Sequence, residues 1–345
     1  MTRWAVILAG GVGSRFWPLS TPRRPKQLLP LVTNKPLLVN TLERLEKIVP
    51  GEQTLILTNA SLADAIAAAS PAVPRENIIA EPKPAGTAAA LAWAAREIAK
   101  RSGSDSTMIC VHADWAIADD EGFRNALVAA ERVAIEEHAL VTVGVVPTRA
   151  DPGFGYIQPG DATESGALKV RRFVEKPDRA RAESMWHQGY LWNSGIFAWR
   201  VGDFLDEIRA HTPEVSSALE SNATKGLESF FDAVTPISVD VGVLERSDRV
   251  RVVSGDFGWD DVGTWGALRR VKPGDDSGNV TSGDVFALAA GGNVVHAEGN
   301  SVILYGVNDL VVVTRGNLTL VTTTDQSSDL KKLIDSLPPH LRDIE

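Results

Sequence analysis

Cysteine, long apolar runs and surplus positive charge are all scarce in this chain. The single cysteine, Cys110, lies in the apolar run STMICVHAD, so a disulfide framework is excluded and a buried strand thiol is expected. No apolar stretch approaches the ~20 residues of a membrane helix, and Trp4–Ala9 is too short for the apolar region of a signal peptide. We therefore expect a soluble, cytoplasmic protein without a membrane partner.

The charge balance excludes one further class of partner. The formal net charge is -9 at pH 7, so the chain lacks the basic footprint of a nucleic-acid-binding protein. Any polyanion that binds must be small and held by a local basic cluster. The six histidines are scattered without metal-ligand spacing, and no local motif indicates a Ser-His-Asp or Cys-His arrangement.

Strand and helix patterns alternate through the first part of the chain, from Trp4 to Val146. The strand patterns are almost continuously apolar, which is typical of strands covered on both faces. This alternation predicts a Rossmann-like α/β fold with a mixed, mostly parallel sheet flanked by helices. After Pro147 we expect three strands without intervening helices, followed by one helix, VGDFLDEIRAHTPEVSSALE.

The composition changes again near Asp275, where short strands are punctuated by glycine and asparagine. The repeat is weak and fits either a few β-solenoid coils or a small β-meander. Its asparagines recur at spacings of seven to nine residues: Asn293, Asn300, Asn308 and Asn317. We predict a nucleotide-binding domain over residues 1–271 and a small β-rich, β-helix-like domain over 275–335, with a C-terminal helix to 345.

A glycine-rich turn, AGGVGSR, follows the first strand. It has no GxxxxGK[ST] pattern, which excludes a P-loop, and Phe16 replaces the third glycine of a dinucleotide fingerprint. Open α/β sheets bind ligands at the carboxyl ends of their strands. Gly10, Gly11 and Gly13 would let backbone N–H groups approach phosphate oxygens closely.

Basic residues follow this turn. Arg15 offers a forked guanidinium and Lys26 a point charge, and either would neutralise phosphate. The alternative is a tight strand-to-helix turn followed by solvated charges. Pro18 and Pro25 fix the path of the segment and so favour a phosphate site. Arg23, in the same segment, is interpreted as a surface or phosphate-attracting residue rather than a catalytic one.

Two other motifs offer carboxylates. Asp114 follows an apolar strand, where it could hold Mg²⁺ beside phosphates or cap the following segment. The stretch GWDDVGTWGAL offers Asp260 and Asp261, for which spacing alone favours a capping turn into a helix.

The composite motif LAGGVGSRFWPLS…RPKQLLPL resembles the signature of sugar-nucleotide pyrophosphorylases, and in particular of the mannose-1-phosphate guanylyltransferases. Motifs in the expected order extend the resemblance from Val6 to Val271. It implies a Mg²⁺-dependent transfer of GMP from GTP to α-D-mannose 1-phosphate, which gives GDP-mannose and pyrophosphate. The sugar phosphate would attack the α-phosphorus in line with the leaving group.

The resemblance also implies a role for each matched residue. Arg15 and Lys26 are the catalytic candidates, and Asp114 and Asp261 the metal ligands, with Asp260 at a variable place. The nucleotide-binding candidates are Leu8, Ala9, Gly10, Gly11, Gly13, Ser14, Gly86 and Thr87. The sugar-phosphate candidates are Gly155, Tyr156, Glu175, Lys176 and Asn193.

Some of these positions carry their own expectations. Glu175 and Lys176 are adjacent on a strand, so both can reach one ligand only if the strand bends, which Pro177 permits. Gly86 replaces a common asparagine, so base contacts there would come from the backbone. Thr87 is a candidate helix N-cap. Trp115 replaces the histidine that usually follows Asp114 in the bacterial enzymes.

Two alternatives stay open. The enzyme could use another sugar 1-phosphate, such as glucose or heptose, or another nucleotide. The chain could also be a non-catalytic regulatory homologue, although the joint presence of Arg15, Lys26, Asp114 and Asp261 argues against it. We further expect a homodimer and, because no isomerase-like extension follows the β-rich tail, a single activity.

Overall fold

The computed structural model describes residues 1–11, 13–221 and 226–342. Its contacts divide the chain into two compact units. Unit 1 comprises Met1–Gly10, Leu42–His112 and Asp119–Phe257. Unit 2 comprises Gly11–Thr41, Ala113–Ala118 and Gly258–Glu345. This division differs from the boundary predicted near residues 271–275, which stays a prediction.

Unit 1 is built on a nine-stranded sheet with the order β3-β2-β1-β4-β8-β5-β9-β7-β6. The strands are β1 Arg3–Leu8, β2 Thr54–Asn59, β3 Ile78–Glu81, β4 Thr107–His112, β5 Leu140–Val145, β6 Gly155–Ala162, β7 Leu168–Val174, β8 Leu191–Arg200 and β9 Val250–Gly255. Strands β7 and β8 run against the other seven. The predicted Rossmann-like fold with a mixed, mostly parallel sheet is confirmed.

The helices that follow these strands are α1 Leu37–Leu45, α2 Ala63–Ala69, α3 Gly86–Ser102, α4 Asp120–Glu137, α5 Arg179–His187, α6 Val201–His211, α7 Pro213–Ser221 and α8 Leu227–Ala233. Alanine-rich α3 packs closely on the sheet because its small side chains let it approach, and it shares a core with Phe204 of α6 and Phe230 of α8.

Two local predictions were wrong. A helix, α5, lies between β7 and β8, where strands without helices were expected. Asp178 caps it by accepting a hydrogen bond from the Arg181 backbone N–H. The single helix expected over residues 201–220 is two helices, because Pro213 disfavours a helical conformation at Thr212.

Unit 2 ends in stacked β-coils. Its strands are β10 Val280–Ser282, β11 Val285–Leu288, β12 Val294–Glu298, β13 Val302–Tyr305, β14 Leu310–Arg315 and β15 Leu318–Thr323. Strands β10, β12 and β14 pair in parallel, as do β11 and β13, and β15 closes the stack antiparallel to β14. The β-rich tail is confirmed, and its parallel pairing is that of short coils rather than a meander.

Three helices complete unit 2: α9 Leu268–Val271, α10 Leu330–Ser336 and α11 Pro339–Arg342. Residues 343–345 of the predicted C-terminal helix lie outside the described residues. Within the described part of the chain, no helix has the length and apolar character needed to cross a membrane.

Buried asparagines connect successive coils. The Asn293 side chain donates to Asn279 Oδ1 at 2.8 Å and to the Val307 carbonyl at 3.1 Å, and it accepts from the Leu310 N–H at 2.9 Å. Asn293 is fully buried, so its own polar atoms depend on these partners. Two of the partners have a second donor: Asn279 Oδ1 also accepts from the Asn293 N–H at 3.0 Å, and the Val307 carbonyl also accepts from the Gly291 N–H at 3.2 Å. Of the asparagines in the sequence repeat, Asn293 therefore forms a hydrogen-bonded ladder between successive coils.

The residues around the basic charges share a core with these coils. We use the term basic segment for residues 14–26. Its Phe16 and Trp17 pack in one cluster with Trp265, Val294 and Val311. The indole of Trp265 donates to the Trp17 carbonyl at 3.2 Å. The basic segment and the β-coils are therefore parts of one compact unit.

We predict that Asn293→Ala lowers the free energy of unfolding by about 2–4 kcal/mol, because it removes three hydrogen bonds made by a fully buried side chain. The matched control is Asn300→Ala, whose side chain donates to the Gly316 carbonyl at an exposed site and should cost under about 1 kcal/mol. Urea unfolding followed by circular dichroism measures both. Equal losses in the two variants would contradict the ladder.

Candidate functional site

Two groups of polar side chains stand out, one in each unit. The Lys26 cluster of unit 2 comprises Arg15, Lys26, Asp114 and Asp261. It begins at Gly13, whose left-handed φ of 69° favours glycine. A Cβ atom at Gly13 would lie 2.3 Å from Lys26 Cβ, so a side chain there would displace the lysine.

Lys26 is 6% exposed, although it is charged. Its ammonium group donates to Asp114 Oδ2 at 2.9 Å and to the Asp261 carbonyl at 2.6 Å. A buried ammonium requires such acceptors, because burial without a partner strongly disfavours the charged form. The structure thus brings Asp114 and Asp261 to one cation, although they are far apart in the sequence.

Backbone pairing explains why the two aspartates converge. The N–H of Ala116 donates to the Asp260 carbonyl at 2.9 Å, and the Asp260 N–H donates back to Ala116 at 3.0 Å. The rings of Trp115 and Trp259 then meet edge to face with centroids 5.9 Å apart. The segments that carry the carboxylates are therefore locked side by side.

The neighbouring Asp260 is structural. Arg270 binds its buried carboxylate with two hydrogen bonds of 2.7 and 3.0 Å. Asp260 also accepts from the N–H of Val262, a β-branched residue held at a strained φ of 46°. Asp261 is left with a partly exposed carboxylate that accepts from the Gly263 N–H at 3.2 Å. Arg15, which is exposed, donates to the Gly263 carbonyl at 3.3 Å.

The Lys26 cluster suits a divalent cation that also binds phosphate. Asp114 and Asp261 supply two partly exposed carboxylates. In the described residues, no group of three or more His, Cys, Asp or Glu side chains is placed to hold a metal. Mg²⁺ fits such a donor set, because it commonly takes one or two carboxylates and completes its shell with phosphate oxygens and water.

The predicted nucleotide residues of the first strand differ in accessibility. Leu8 and Ala9 are buried, and the Ala9 N–H donates to the Leu57 carbonyl at 2.8 Å. Gly10 and Gly11 are exposed, and a Cβ atom at either would meet open space. Ser14 is also exposed.

Thr87 is not the N-cap that the sequence indicated, because that position belongs to Ala85. Its hydroxyl instead accepts from the Val239 N–H at 2.9 Å. Next to it, Gly86 has a φ of 79°, and a Cβ atom there would lie 2.2 Å from the Ile237 carbonyl oxygen. The start of α3 therefore holds the segment that leads to Asp240.

The second group, the Asn193 cluster of unit 1, comprises Glu175, Lys176, Asn193 and Asp240. The predicted bend after β7 is confirmed, since Lys176 has a φ of 42° and its ammonium lies 2.8 Å from Glu175 Oε1. A Cβ atom at Gly155 would lie 2.7 Å from Glu175 Oε2 and 3.4 Å from Asn193 Cβ. Gly155 therefore leaves the space in which these two side chains meet.

Tyr156 requires a correction. Its side chain is fully buried, and its hydroxyl accepts from the Asp151 N–H at 2.9 Å and lies 3.2 Å from the Asp151 carbonyl. The ring is committed to the loop before β6, so only the backbone of Tyr156 is left for a ligand contact.

Asp240 matches none of the motifs seen in the sequence, yet it belongs to the Asn193 cluster. Its Oδ1 accepts from Asn193 Nδ2 at 2.7 Å. Burial raises the pKa of the Asp240 carboxyl; the hydrogen bond from Asn193 opposes this rise and the charge of Glu175 adds to it. The available signal was a lone acid in the largely apolar stretch ISVDVGVL.

Comparison with known proteins decides the family. The nucleotidyl transferase model matches residues 4–277. The chain belongs to the nucleotidyl transferase family. Its members generally use a divalent metal ion.

Individual relatives show which activity within the family this chain is similar to. The mannose-1-phosphate guanylyltransferase of Salmonella muenchen is 36% identical over 354 residues, which cover 98% of this chain and 74% of the relative. That of Klebsiella pneumoniae is 37% identical over 352 residues, with the same coverage. The resemblance to mannose-1-phosphate guanylyltransferases seen in the sequence is confirmed.

A solved structure agrees over the whole chain. A crystal structure described as mannose-1-phosphate geranyltransferase from Thermus thermophilus superposes with a TM-score of 0.90 at 37% identity. The match covers 97% of this chain and 99% of that one. A mannose-6-phosphate isomerase structure from Helicobacter pylori, with a TM-score of 0.60 at 24% identity, covers 74% of this chain and shows the shared fold alone.

One half-buried acid of unit 1, Glu81, should make the stability of the fold depend on pH. Burial raises the pKa of Glu81, at the end of β3, to about 7. The unfolded chain releases this proton at lower pH than the folded chain, so stability falls as the pH rises from about 4.5 to about 7. Glu81→Gln should remove this fall and gain roughly 1–3 kcal/mol at pH 8 relative to pH 5.

Urea unfolding at pH 5 and pH 8, at constant ionic strength and without ligands, measures the effect. Glu76→Gln, which changes an exposed glutamate nearby, should keep the wild-type dependence. Identical pH profiles for wild type and Glu81→Gln would contradict the prediction.

Proposed function

We propose that this chain transfers GMP from GTP to α-D-mannose 1-phosphate, releasing pyrophosphate and forming GDP-mannose. The observation that carries the proposal is the Lys26 ammonium group, which joins the Asp114 carboxylate to the Asp261 carbonyl, with Gly13 packed against the lysine side chain. The guanylyltransferase relatives, matched over nearly the whole chain, support the choice of reaction.

Both substrates are anions, so the chain's main task is to position them and to offset their repulsion. A phosphate oxygen of the sugar 1-phosphate forms a bond to the α-phosphorus of GTP, and the bond from that phosphorus to the departing pyrophosphate breaks. Lys26 and Arg15 supply positive charge to the triphosphate and the leaving group. The exposure of Gly11 and Ser14 supports contacts between their backbone N–H groups and phosphate.

Mg²⁺ is the proposed metal, and Asp114 and Asp261 would hold it. When bound, it would supply positive charge that offsets the charge of the substrate phosphates. The partly exposed carboxylates and the absence of a third ligating side chain in the described residues support an ion that shares its shell with substrate phosphates.

Within unit 1 we assign the nucleotide to the backbone near Leu8, Ala9, Gly10, Gly86 and Thr87. The buried side chains of Leu8 and Ala9 support backbone rather than side-chain contacts.

We assign the sugar phosphate to the Asn193 cluster, with Lys176 at the phosphate and Glu175 and Asn193 at hydroxyl groups. The close approach of Glu175 and Asn193 over Gly155 supports this assignment, and Tyr156 contributes through its backbone.

The test is a turnover assay for GDP-mannose and pyrophosphate, run with four nucleoside triphosphates against mannose, glucose and heptose 1-phosphates. GTP with mannose 1-phosphate should give the highest kcat/KM, and chelation of Mg²⁺ should abolish it. In the same assay, Lys26→Met should lower kcat by about 10²–10³-fold and Arg15→Ala by about 10–10²-fold.

The matched control is Arg23→Ala, which removes an exposed charge from the same basic segment and should change kcat less than about threefold. Circular dichroism checks that each variant is folded. Near-normal turnover in Lys26→Met or Arg15→Ala would remove the assigned role. A wild-type protein that binds GTP without turnover on any sugar 1-phosphate would favour the regulatory alternative.

We also propose that the chain forms a homodimer in the cytoplasm. The outer face of the sheet formed by β11 and β13 supports self-association, because its four large apolar side chains are each more than half exposed. They are Phe286, Leu288, Ile303 and Tyr305. Contiguous apolar patches of this kind are typical of protein interfaces.

The double variant Phe286→Ser/Ile303→Ser should convert the dimer to a monomer, because it removes two facing apolar side chains from that patch. Size-exclusion chromatography with light scattering measures the mass. Val128→Ser, which changes an exposed valine on α4, should leave the mass unchanged. A double variant with unchanged mass would place the interface elsewhere.

A further inference from the structure

Asn193 lies between two glycines of the neighbouring strands. In the register of β8 it lies opposite Gly144 of β5 and Gly155 of β6, so glycine flanks it on both sides. The next residue, Ser194, points the other way, and its hydroxyl donates to the Val143 carbonyl at 2.5 Å. On the face of the sheet that Asn193 occupies, its amide is therefore the polar group that β8 offers at this position.

The orientation of that amide is set by one partner. Nδ2 donates to Asp240 Oδ1 at 2.7 Å, which leaves Oδ1 as the free end of the amide. This Oδ1 is buried and has no hydrogen-bond partner among the residues that the structure describes. A buried acceptor without a donor is disfavoured, so such a group indicates a missing hydrogen-bond donor.

Asp240 is itself held in place. Thr87 Oγ1 accepts from the Val239 N–H at 2.9 Å, directly before Asp240. Asp240 then opens a π-helical turn, Asp240–Leu244, whose Val243 and Leu244 are buried. The backbone is thus held both before and after Asp240, and this fixes the position from which its carboxylate extends.

The neighbours of Asp240 supply mostly acceptors. Glu175 contributes a like charge that raises the pKa of Asp240, and Asn193 Oδ1 contributes an acceptor. The smallest influence, that of His112, lowers this pKa. Lys176 is already paired with Glu175 at 2.8 Å. A ligand that donates hydrogen bonds suits this surrounding, and a sugar hydroxyl is such a donor.

We propose that Asp240 is a positioning residue for the sugar: by accepting from Asn193 Nδ2, it fixes the amide so that Oδ1 receives a sugar hydroxyl. The inference rests on the proposed function and adds to it a residue that acts through Asn193. The hydroxyl read in this way contributes to the discrimination between mannose 1-phosphate and its epimer glucose 1-phosphate.

The first test separates binding of the sugar from binding of GTP. In Asp240→Asn, the KM for mannose 1-phosphate should rise at least tenfold, the KM for GTP should change less than threefold, and the preference over glucose 1-phosphate should shrink. Glu245→Gln, the matched control, removes an exposed charge next to the same turn and should leave these values unchanged. An unchanged KM for mannose 1-phosphate in Asp240→Asn would overturn the inference.

The second test is a double-mutant cycle with Asn193→Ala. If Asp240 acts through Asn193, Asp240→Asn should have little further effect on the KM for mannose 1-phosphate in the Asn193→Ala background. Effects that multiply would show that the two residues act independently and would overturn the positioning role. Asp240→Asn preserves the shape of the side chain, so its own effect does not include the cost of a cavity.

Calorimetry of mannose 1-phosphate binding tests the positioning role of Asp240 separately from the proposed reaction. If the wild-type protein binds the sugar phosphate but forms no GDP-mannose, the proposed function fails. A tenfold weaker affinity in Asp240→Asn would still support the positioning role. If the wild-type protein binds no mannose 1-phosphate, both fail.

Discussion

The buried ammonium group of Lys26 is the constraint on which the candidate site depends. A charge with so little exposure needs acceptors, and it finds them in the Asp114 carboxylate and the Asp261 carbonyl. This requirement explains Gly13, because any side chain there would occupy the space of the lysine. It also explains the pairing of Ala116 with Asp260, which holds the two aspartate segments together.

The β-coils belong to the same unit as the Lys26 cluster, and they help to hold the basic segment in place. Phe16 and Trp17, which flank the basic charges, are buried against Val294 and Val311 of the coils. Arg315, on β14, donates to the Pro18 carbonyl at 2.9 Å. The conformation of the basic segment therefore depends on residues almost 300 positions later, because they complete its apolar core.

In unit 1, hydrogen-bond requirements shape the proposed sugar site. Gly155 leaves the space in which Glu175 and Asn193 meet, and Asp240 selects which end of the Asn193 amide stays available. A lone acid in an apolar stretch has no local explanation in the sequence. The structure explains it by the hydrogen bond from Asn193 to Asp240, which joins residues 47 positions apart.

The sequence by itself determined the α/β class, the glycine turn and the motif residues, because strand–helix periodicity and turn chemistry are local properties. By resemblance to the family, the motif also indicated Asp261 rather than Asp260 as a metal ligand, and that role stays a prediction. Tertiary structure decided the rest. Burial of Asp260 by Arg270, the use of Thr87 to hold Val239 and the burial of Tyr156 all depend on partners outside the local pattern. Local patterns carry no record of such partners, because a hydrogen bond between distant residues forms only once the chain has folded.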